Sequence, residues 1–345
     1  MNNNTKLPWI AQWLCMTQKQ VLDKFQGIPG SFSDGVGQER FVYLDGTRPD
    51  KALLVAHADT VWHWLEKGDD SRIGLKYENG VLSSSKKEST FEIQYQLKKN
   101  KTRTVTKHGV GIGADDRAGC GIVWKLRKLG HSLLITSGEE CGCIATHRIM
   151  RSSYWRNKIA EHAFAVEFDR RHNNDIVFYD VGTNAFAKYV EEQTGYKPAP
   201  GSVTDISYLC KNICGVNMSV GYYNEHSSDE HLVIKEFERT LQTAYKWLSQ
   251  KDLPKFPFIQ NEQFRIKYSS YFDEEGFMEE YYGSRFNNFV PMLPAPKKET
   301  GTIALLDLQK EKGTIQCPHC QNKMSQEAWH RSLFKCETCG KDTVL

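Results

Sequence analysis

Short apolar runs alternate along the chain with segments of helical spacing. FVYLDG (41–46) and ALLVAHAD (52–59) are short apolar runs bounded by turn residues, and HSLLITSGEE (131–140), AFAVEFD (163–169), DIVFYD (175–180) and VNMSVGYYNEH (216–226) are further apolar-rich segments. Such runs predict strands buried on both faces. Residues 8–25 instead place Ile10, Leu14, Val21 and Phe25 at helical intervals. DDRAGCGIVWKLRKLG (115–130) predicts a helix of about 14 residues, with Ala118, Ile122, Val123, Leu126 and Leu129 as its stripe and Gly130 as its stop. AFAKYVEEQTG, TDISYLCKNIC and the amphipathic IKEFERTLQTAYKWLSQK (234–251) predict further helices. Strands alternating with helices predict a layered α/β sandwich.

Two stretches break this pattern. Residues 62–108 are polar and lysine-rich, with a hairpin signal at Asn79-Gly80 inside YENGVL, and predict a β-rich insertion. Its lysines (Lys86, Lys87, Lys98, Lys99, Lys101) solvate a hairpin or attract an acidic substrate. Residues 256–300 lose all periodicity and end in the linker PMLPAPKKETG. The expected organisation is therefore one large domain over 1–255, a linker over 256–300 and a small module over 301–345.

Composition narrows the classes. A formal net charge of +3 is too small to argue for a nucleic-acid or membrane-surface partner. No apolar run is long enough for a membrane span. The first residues, MNNNTKLPWIAQWLCMTQKQ, do not form a secretory signal. Six cysteines (Cys15, Cys120, Cys141, Cys143, Cys210, Cys214) are scattered in apolar or turn contexts and read as reduced, small core residues of a cytoplasmic protein.

Polar residues cluster at the ends of the expected strands. His57 and Asp59 follow ALLVA, Glu139 and Glu140 follow LLITSG, Asp169 ends AFAVEF, and His226 ends VNMSVGYYNE. Asp115 and Asp116 open a helix between glycines. Taken singly these are ordinary features: a histidine pair, a helix cap, a solvated turn, a salt bridge. Together they place two histidines and several carboxylates at the sheet edge where ligand sites assemble in open α/β folds. Buried carboxylates in such numbers require positive charge. Two cations sharing the Asp115 carboxylate would supply it. Asp116 would be held by backbone N–H groups at the helix start, and Asp59 would reach the second imidazole nitrogen of His57. Of Glu139 and Glu140, one can ligate while the other takes a proton from a metal-bound water.

The order HAD, GADDRAG, GEE, a strand-end Asp and EHSSDE resembles the dizinc exopeptidase superfamily of aminopeptidases, peptidase T and the carboxypeptidase G and aminoacylase relatives, over residues from about 50 to 250. The resemblance implies a three-layer α/β/α sandwich with a mixed central sheet. It implies Zn²⁺ held by His57, Asp115 and Asp169, a second Zn²⁺ held by Asp115, Glu140 and His226, and Glu139 as general base, with Asp59 supporting His57. It also implies a cis peptide after Asp115. GSVTDISYL is similar to a GGTD segment of the family and would bring Asp205 to the substrate or to a histidine. Only 56 residues separate Asp169 from His226, too few for the dimerisation domain of the aminoacylase-like members, so the resemblance favours an aminopeptidase hydrolysing peptides. The alternatives are an N-acyl amino acid or other small amide hydrolase, and an adaptor with a degenerate hydrolase domain.

CPHC (Cys317, Cys320) and CETC (Cys336, Cys339), 15 residues apart, predict a tetrahedral four-cysteine zinc ribbon with one structural Zn²⁺. So small a module depends on its metal for folding. It reads as a structural tail or a surface for protein docking rather than for nucleic acid.

Overall fold

The computed structural model describes residues 7–62, 74–86, 90–97, 101–258, 314–316, 320, 323–325 and 339. The chain divides into two compact units, Met1–Ile266 and Lys267–Leu345. In the first unit the strands are β1 (Ser31–Asp34), β2 (Phe41–Leu44), β3 (Leu53–His57), β4 (Leu75–Glu78), β5 (Val81–Ser84), β6 (Thr90–Leu97), β7 (Lys101–His108), β8 (Ser132–Thr136), β9 (Ala165–Arg170), β10 (Asp175–Val177), β11 (Lys197–Pro198), β12 (Gly215–Ser219), β13 (Tyr222–Tyr223) and β14 (His231–Val233). The helices are α1 (Ala11–Leu14), α2 (Gln18–Gln26), α3 (Ala114–Leu126), α4 (Ile144–Arg151), α5 (Ser153–Ala160), α6 (Asn184–Thr194), α7 (Asp205–Leu209) and α8 (Ile234–Leu248).

Eight strands form one mixed sheet in the order β1-β2-β8-β3-β9-β12-β10-β11. Its centre, β8-β3-β9-β12, is parallel, and antiparallel pairs flank it. The alternation of a pleated strand sorts side chains between two helical layers. Leu53 and Val55 of β3, Leu134 of β8 and Ala165 of β9 face a core with Ala145, Ile149, Trp155, Ile159, Ile206 and Leu209 of α4, α5 and α7. On the other face α3 packs on β3 and β9, backed by α1, α2 and α8. The architecture is thus a three-layer α/β/α sandwich. Both faces are covered, which is why the central strands read as continuous apolar runs.

Local chemistry fixes the helix ends. A capping box between Thr17 and Gln20 opens α2 and splits the expected 8–25 helix into two. Thr183 caps α6, which ends at left-handed Gly195. Helix α8 buries Phe237, Leu241, Ala244 and Leu248 along one stripe. Helix α3 ends at Leu126, short of Gly130, which instead turns the chain toward β8 at φ 84°.

The segment VNMSVGYYNEH is not one strand. It breaks at Gly221 (φ 102°) into β12 of the main sheet and β13 of a second, antiparallel sheet, β13-β14-β5-β4. His226 therefore lies in the loop between β13 and β14, at φ 62°, and not at a strand end. The hairpin β4–β5, turning at Asn79-Gly80 (φ 50° and 82°), docks on that loop's flanking strand through His231↔Ser83. Strands β6 and β7 pair with each other. No helix among the described residues is long and apolar enough to cross a membrane.

In the second unit, strands β15 (Thr314–Gln316) and β16 (Lys323–Ser325) pair antiparallel on either side of the CPHC segment. Cys320 and Cys339 are described; Cys317 and Cys336, and with them the four-thiolate ribbon expected from the sequence, lie outside the described residues.

Candidate metal centre

The carboxyl ends of β8, β3 and β9 open to one side of the sheet. The pairing His57↔Thr136 sets the end of β3 level with the end of β8, and Val55↔Glu167, carried two residues on, sets His57 level with Asp169. Ser137, Gly138, Glu139 and Glu140 follow Thr136, and α3 delivers Asp115 and Asp116 from the layer packed on β3 and β9.

His57 is the buried centre of the cluster. Its Nδ1 lies 3.1 Å from the Asp59 carbonyl oxygen and 3.4 Å from Asp59 Oδ1. A carbonyl only accepts, so Nδ1 donates to it, and Nε2 is the nitrogen left to ligate a cation. That Nε2 is buried and has no hydrogen-bond partner. It faces Asp115 Oδ1 at 3.3 Å, Asp169 Oδ1 at 3.4 Å and Glu139 Oε2 at 3.9 Å. His226 approaches from the opposite side: its Nε2 lies 3.1 Å from Asp115 Oδ2 and 3.0 Å from Glu140 Oε2. Asp115 thus turns one oxygen to each histidine. The His57 side chain is 1% exposed and that of His226 is 51% exposed, so the cluster opens to solvent on the His226 side.

Each carboxylate is held by its own partners. Asp169 accepts hydrogen bonds from the Thr204 hydroxyl (3.0 Å) and the Tyr222 hydroxyl (3.2 Å). Asp116 accepts the His57 N–H at 3.2 Å and the Gly119 N–H at 2.9 Å, which binds the end of β3 to the first turn of α3. The Asp115-Asp116 peptide is cis. Asp59 has a further task that spacing alone did not reveal. Its two oxygens accept the N–H groups of Glu139 (3.3 Å) and Glu140 (3.2 Å), fixing the loop that carries both glutamates. The Cys143 thiol donates to Glu139 Oε1 at 3.9 Å.

Two further residues stand apart from the reading of the sequence. Asp205, which the resemblance brings to the substrate or to a histidine, is fully buried, and its oxygens take the hydroxyls of Thr136 and Thr146. It ties α7 to the end of β8 and to α4, bracing the floor of the site. Glu230, which no spacing argument singled out, is also buried. It accepts the N–H groups of Gly113 (2.8 Å) and Asp115 (3.1 Å) and the indole N–H of Trp62 (3.1 Å). The only sequence trace of it is its position four residues after His226 in EHSSDE.

Burial opposes ionisation throughout the cluster, and neighbours decide the result. His57 is lowered by burial but raised well above an ordinary imidazole by Asp169 and Asp115. His226 is lifted to about 11 by Asp115 and Glu140. Burial raises Asp115, but His226 and His57 outweigh it and hold the carboxyl below its usual range. Burial pushes Glu139 well up, Glu140 to about 7 and Asp169 to about 6, with neighbouring carboxylates adding to each. The cluster is short of positive charge. His57, Asp115 and Glu140 offer ligand atoms within 4.8 Å of one another, as do His57, Asp116 and Asp169. An orphaned buried imidazole nitrogen amid carboxylate oxygens is the donor set a divalent cation such as Zn²⁺ takes.

No family model matches the chain, and no curated protein matches it. Among solved structures it is similar to the aminopeptidase PepT from Bacillus cereus (14% identity, 70% of this chain and 96% of that one, TM-score 0.47). It is also similar to a tripeptidase from Staphylococcus aureus (11% identity, 70% and 96%, TM-score 0.47). A third similar structure is the TET1 peptidase of Pyrococcus horikoshii (14% identity, 68% and 100%, TM-score 0.40). At these scores the likeness carries no chemistry, which is drawn from the cluster itself.

Proposed function

We propose that this protein is a hydrolase of peptide bonds with a dinuclear zinc site, an exopeptidase and specifically an aminopeptidase. The observation that carries the reading is Asp115, one oxygen 3.3 Å from His57 Nε2 and the other 3.1 Å from His226 Nε2. His57, Asp115 and Asp169 would hold one ion; Asp115, Glu140 and His226 would hold the other. Bound there, zinc supplies Lewis acidity toward an amide carbonyl and lowers the pKa of water to about 7.

The chain's own groups do the rest. Asp59 keeps the His57 proton on Nδ1 and anchors the backbone of Glu139 and Glu140. Glu139, half-buried beside His57 and raised by desolvation, is the carboxylate placed to take a proton from water and return it to the leaving nitrogen. Thr204 and Tyr222 fix the rotation of Asp169. Asp205 supports this floor from beneath and, in this reading, orders the site without touching substrate. The exposed flank of His226 is the side from which a peptide enters. We further propose that Cys317, Cys320, Cys336 and Cys339 hold one structural Zn²⁺ in a docking module, and that the protein works in the cytoplasm.

One observation favours a second substrate class. Glu225, the carboxylate next to His226, is held by Arg171 at 2.6 Å and is not available for a substrate ammonium. Hydrolysis of an N-acyl amino acid or another small amide is the reading this favours. Aminoacyl-anilides, dipeptides and N-acyl amino acids assayed side by side decide between the two. Absence of zinc-dependent turnover on all three would overturn the hydrolase assignment.

A further inference from the structure

Glu230 stands where three ligand-bearing segments meet. Trp62 lies five residues after His57, Gly113 precedes α3 and Asp115 is its second residue, and Glu230 itself lies four residues after His226. Its three partners are all N–H donors, and a carboxylate only accepts, so the arrangement is fully matched. The glycine at position 111 admits it: a Cβ there would lie 2.4 Å from Glu230 Oε2 and 2.7 Å from the Ser227 carbonyl oxygen. Glu230 is rigidly seated, because the next residue opens β14, which is paired on both sides by β5 and β13. The loop it grips is the opposite. It turns through left-handed Gly109 and Gly113 and has no strand or helix of its own.

We infer that Glu230 is the positioning residue that sets Asp115 between His57 and His226, transmitting the fixed edge of the second sheet to the centre of the metal site. The inference rests on the two-cation reading. Its distinctive consequence is that both cations depend on Glu230 equally, because Asp115 gives one oxygen to each side. A residue that merely shaped the His226 loop would affect one cation and spare the other.

The test uses the full chain and Mn²⁺, which carboxylate and imidazole sites accept and an all-thiolate site disfavours. Mn²⁺ binding is followed by electron paramagnetic resonance, which also separates a coupled, bridged pair from isolated ions. Glu230→Gln is nearly isosteric but turns an amide NH2 toward N–H donors, so at least one loop bond is lost. Both cations should weaken in step, by about 10–100-fold as for other residues that orient metal ligands, and the coupled spectrum should give way to isolated ions. Gly111→Ala presses on the same carboxylate, on the Trp62 indole nitrogen that bonds it and on the Ser227 carbonyl oxygen, and should weaken both cations as well.

Each cation-free variant should still melt in a single cooperative transition, lowered by several degrees because a buried acceptor is disturbed. Wild-type affinity for both ions in a folded Glu230→Gln, or weakening of only one ion, overturns the inference and leaves the two-cation reading intact. Failure of the isosteric variant to fold also overturns it, since Glu230 would then serve the whole domain. A wild-type chain that binds no coupled pair refutes the two-cation reading and this inference with it.

Discussion

Gly119→Ala probes how tightly the site depends on the seating of α3 against β9. Gly119 lies one turn into α3, and a Cβ there would sit 1.9 Å from the Phe168 carbonyl oxygen of β9 and 2.2 Å from Asp116 Oδ1. Ordinary contact begins near 3.4 Å, so helix and strand must part by about 1.5 Å. Neither obstacle is a flexible side-chain end: one is backbone, and the other is a carboxylate fixed by two N–H groups. Overpacking of this kind costs about 1–3 kcal/mol, and a buried acceptor pulled from its donor about 1–3 kcal/mol more. The displacement also separates Asp115, carried by α3, from Asp169, carried by β9. A 1 Å misplacement at a reacting centre costs about 100-fold in rate. The variant should melt several degrees lower, and its turnover of the best substrate should fall at least about 100-fold. An unchanged melting temperature with turnover within twofold of the wild type would refute the reasoning.

In the proposed mechanism Glu139 moves a proton and holds no ion, so Glu139→Gln should lower kcat by about 10²–10⁴-fold while zinc content by elemental analysis stays unchanged. Asp59→Ala frees the N–H groups of Glu139 and Glu140 and the His57 tautomer together. Its zinc affinity, by chelator competition, should drop about 10–100-fold; an unchanged affinity would remove Asp59 from the account. His131 supplies a pH prediction away from the site. It accepts the Ala52 N–H at Nδ1 (3.1 Å), donates to the Leu248 carbonyl from Nε2 (2.7 Å), and burial lowers it to about 4. Its folded pKa is below its unfolded value, so the stability it contributes is present above pH 6.5 and lost as pH falls toward 4. Between pH 7 and 5 that loss is about 2 kcal/mol, and chemical denaturation of His131→Gln should show an acid dependence shallower by that amount.

The parts of the fold that were legible in the sequence are those whose burial is local. ALLVAH, SLLIT and AFAVEF read as strands because both faces are covered, and the residues at their ends read as a site because parallel strands deliver their carboxyl ends together. The illegible parts depend on distant contacts. SFSD of β1 is a short edge strand, half-buried and polar, and looks like a loop. Helices α4 and α5 are short and basic, and attracted no expectation before their packing against β8 and β9 was visible. The break at Gly221 moved His226 off a strand end, because only a second sheet explains why the chain turns there. Asp205 resembled a substrate contact by its motif, but the threonines that claim it, Thr136 and Thr146, lie 69 and 59 residues away in sequence. Glu230 was invisible for the same reason, since two of its three partners are backbone groups of a loop more than a hundred residues distant.

The anomalous scattering of zinc in crystals of the full chain tests the central claim most directly. Within the cluster, apart from any zinc on the cysteines, two peaks about 3.5–4 Å apart are expected, one on the His57 and Asp169 side and one on the His226 and Glu140 side, with Asp115 between them. A single peak, or two that do not share Asp115, would contradict the account.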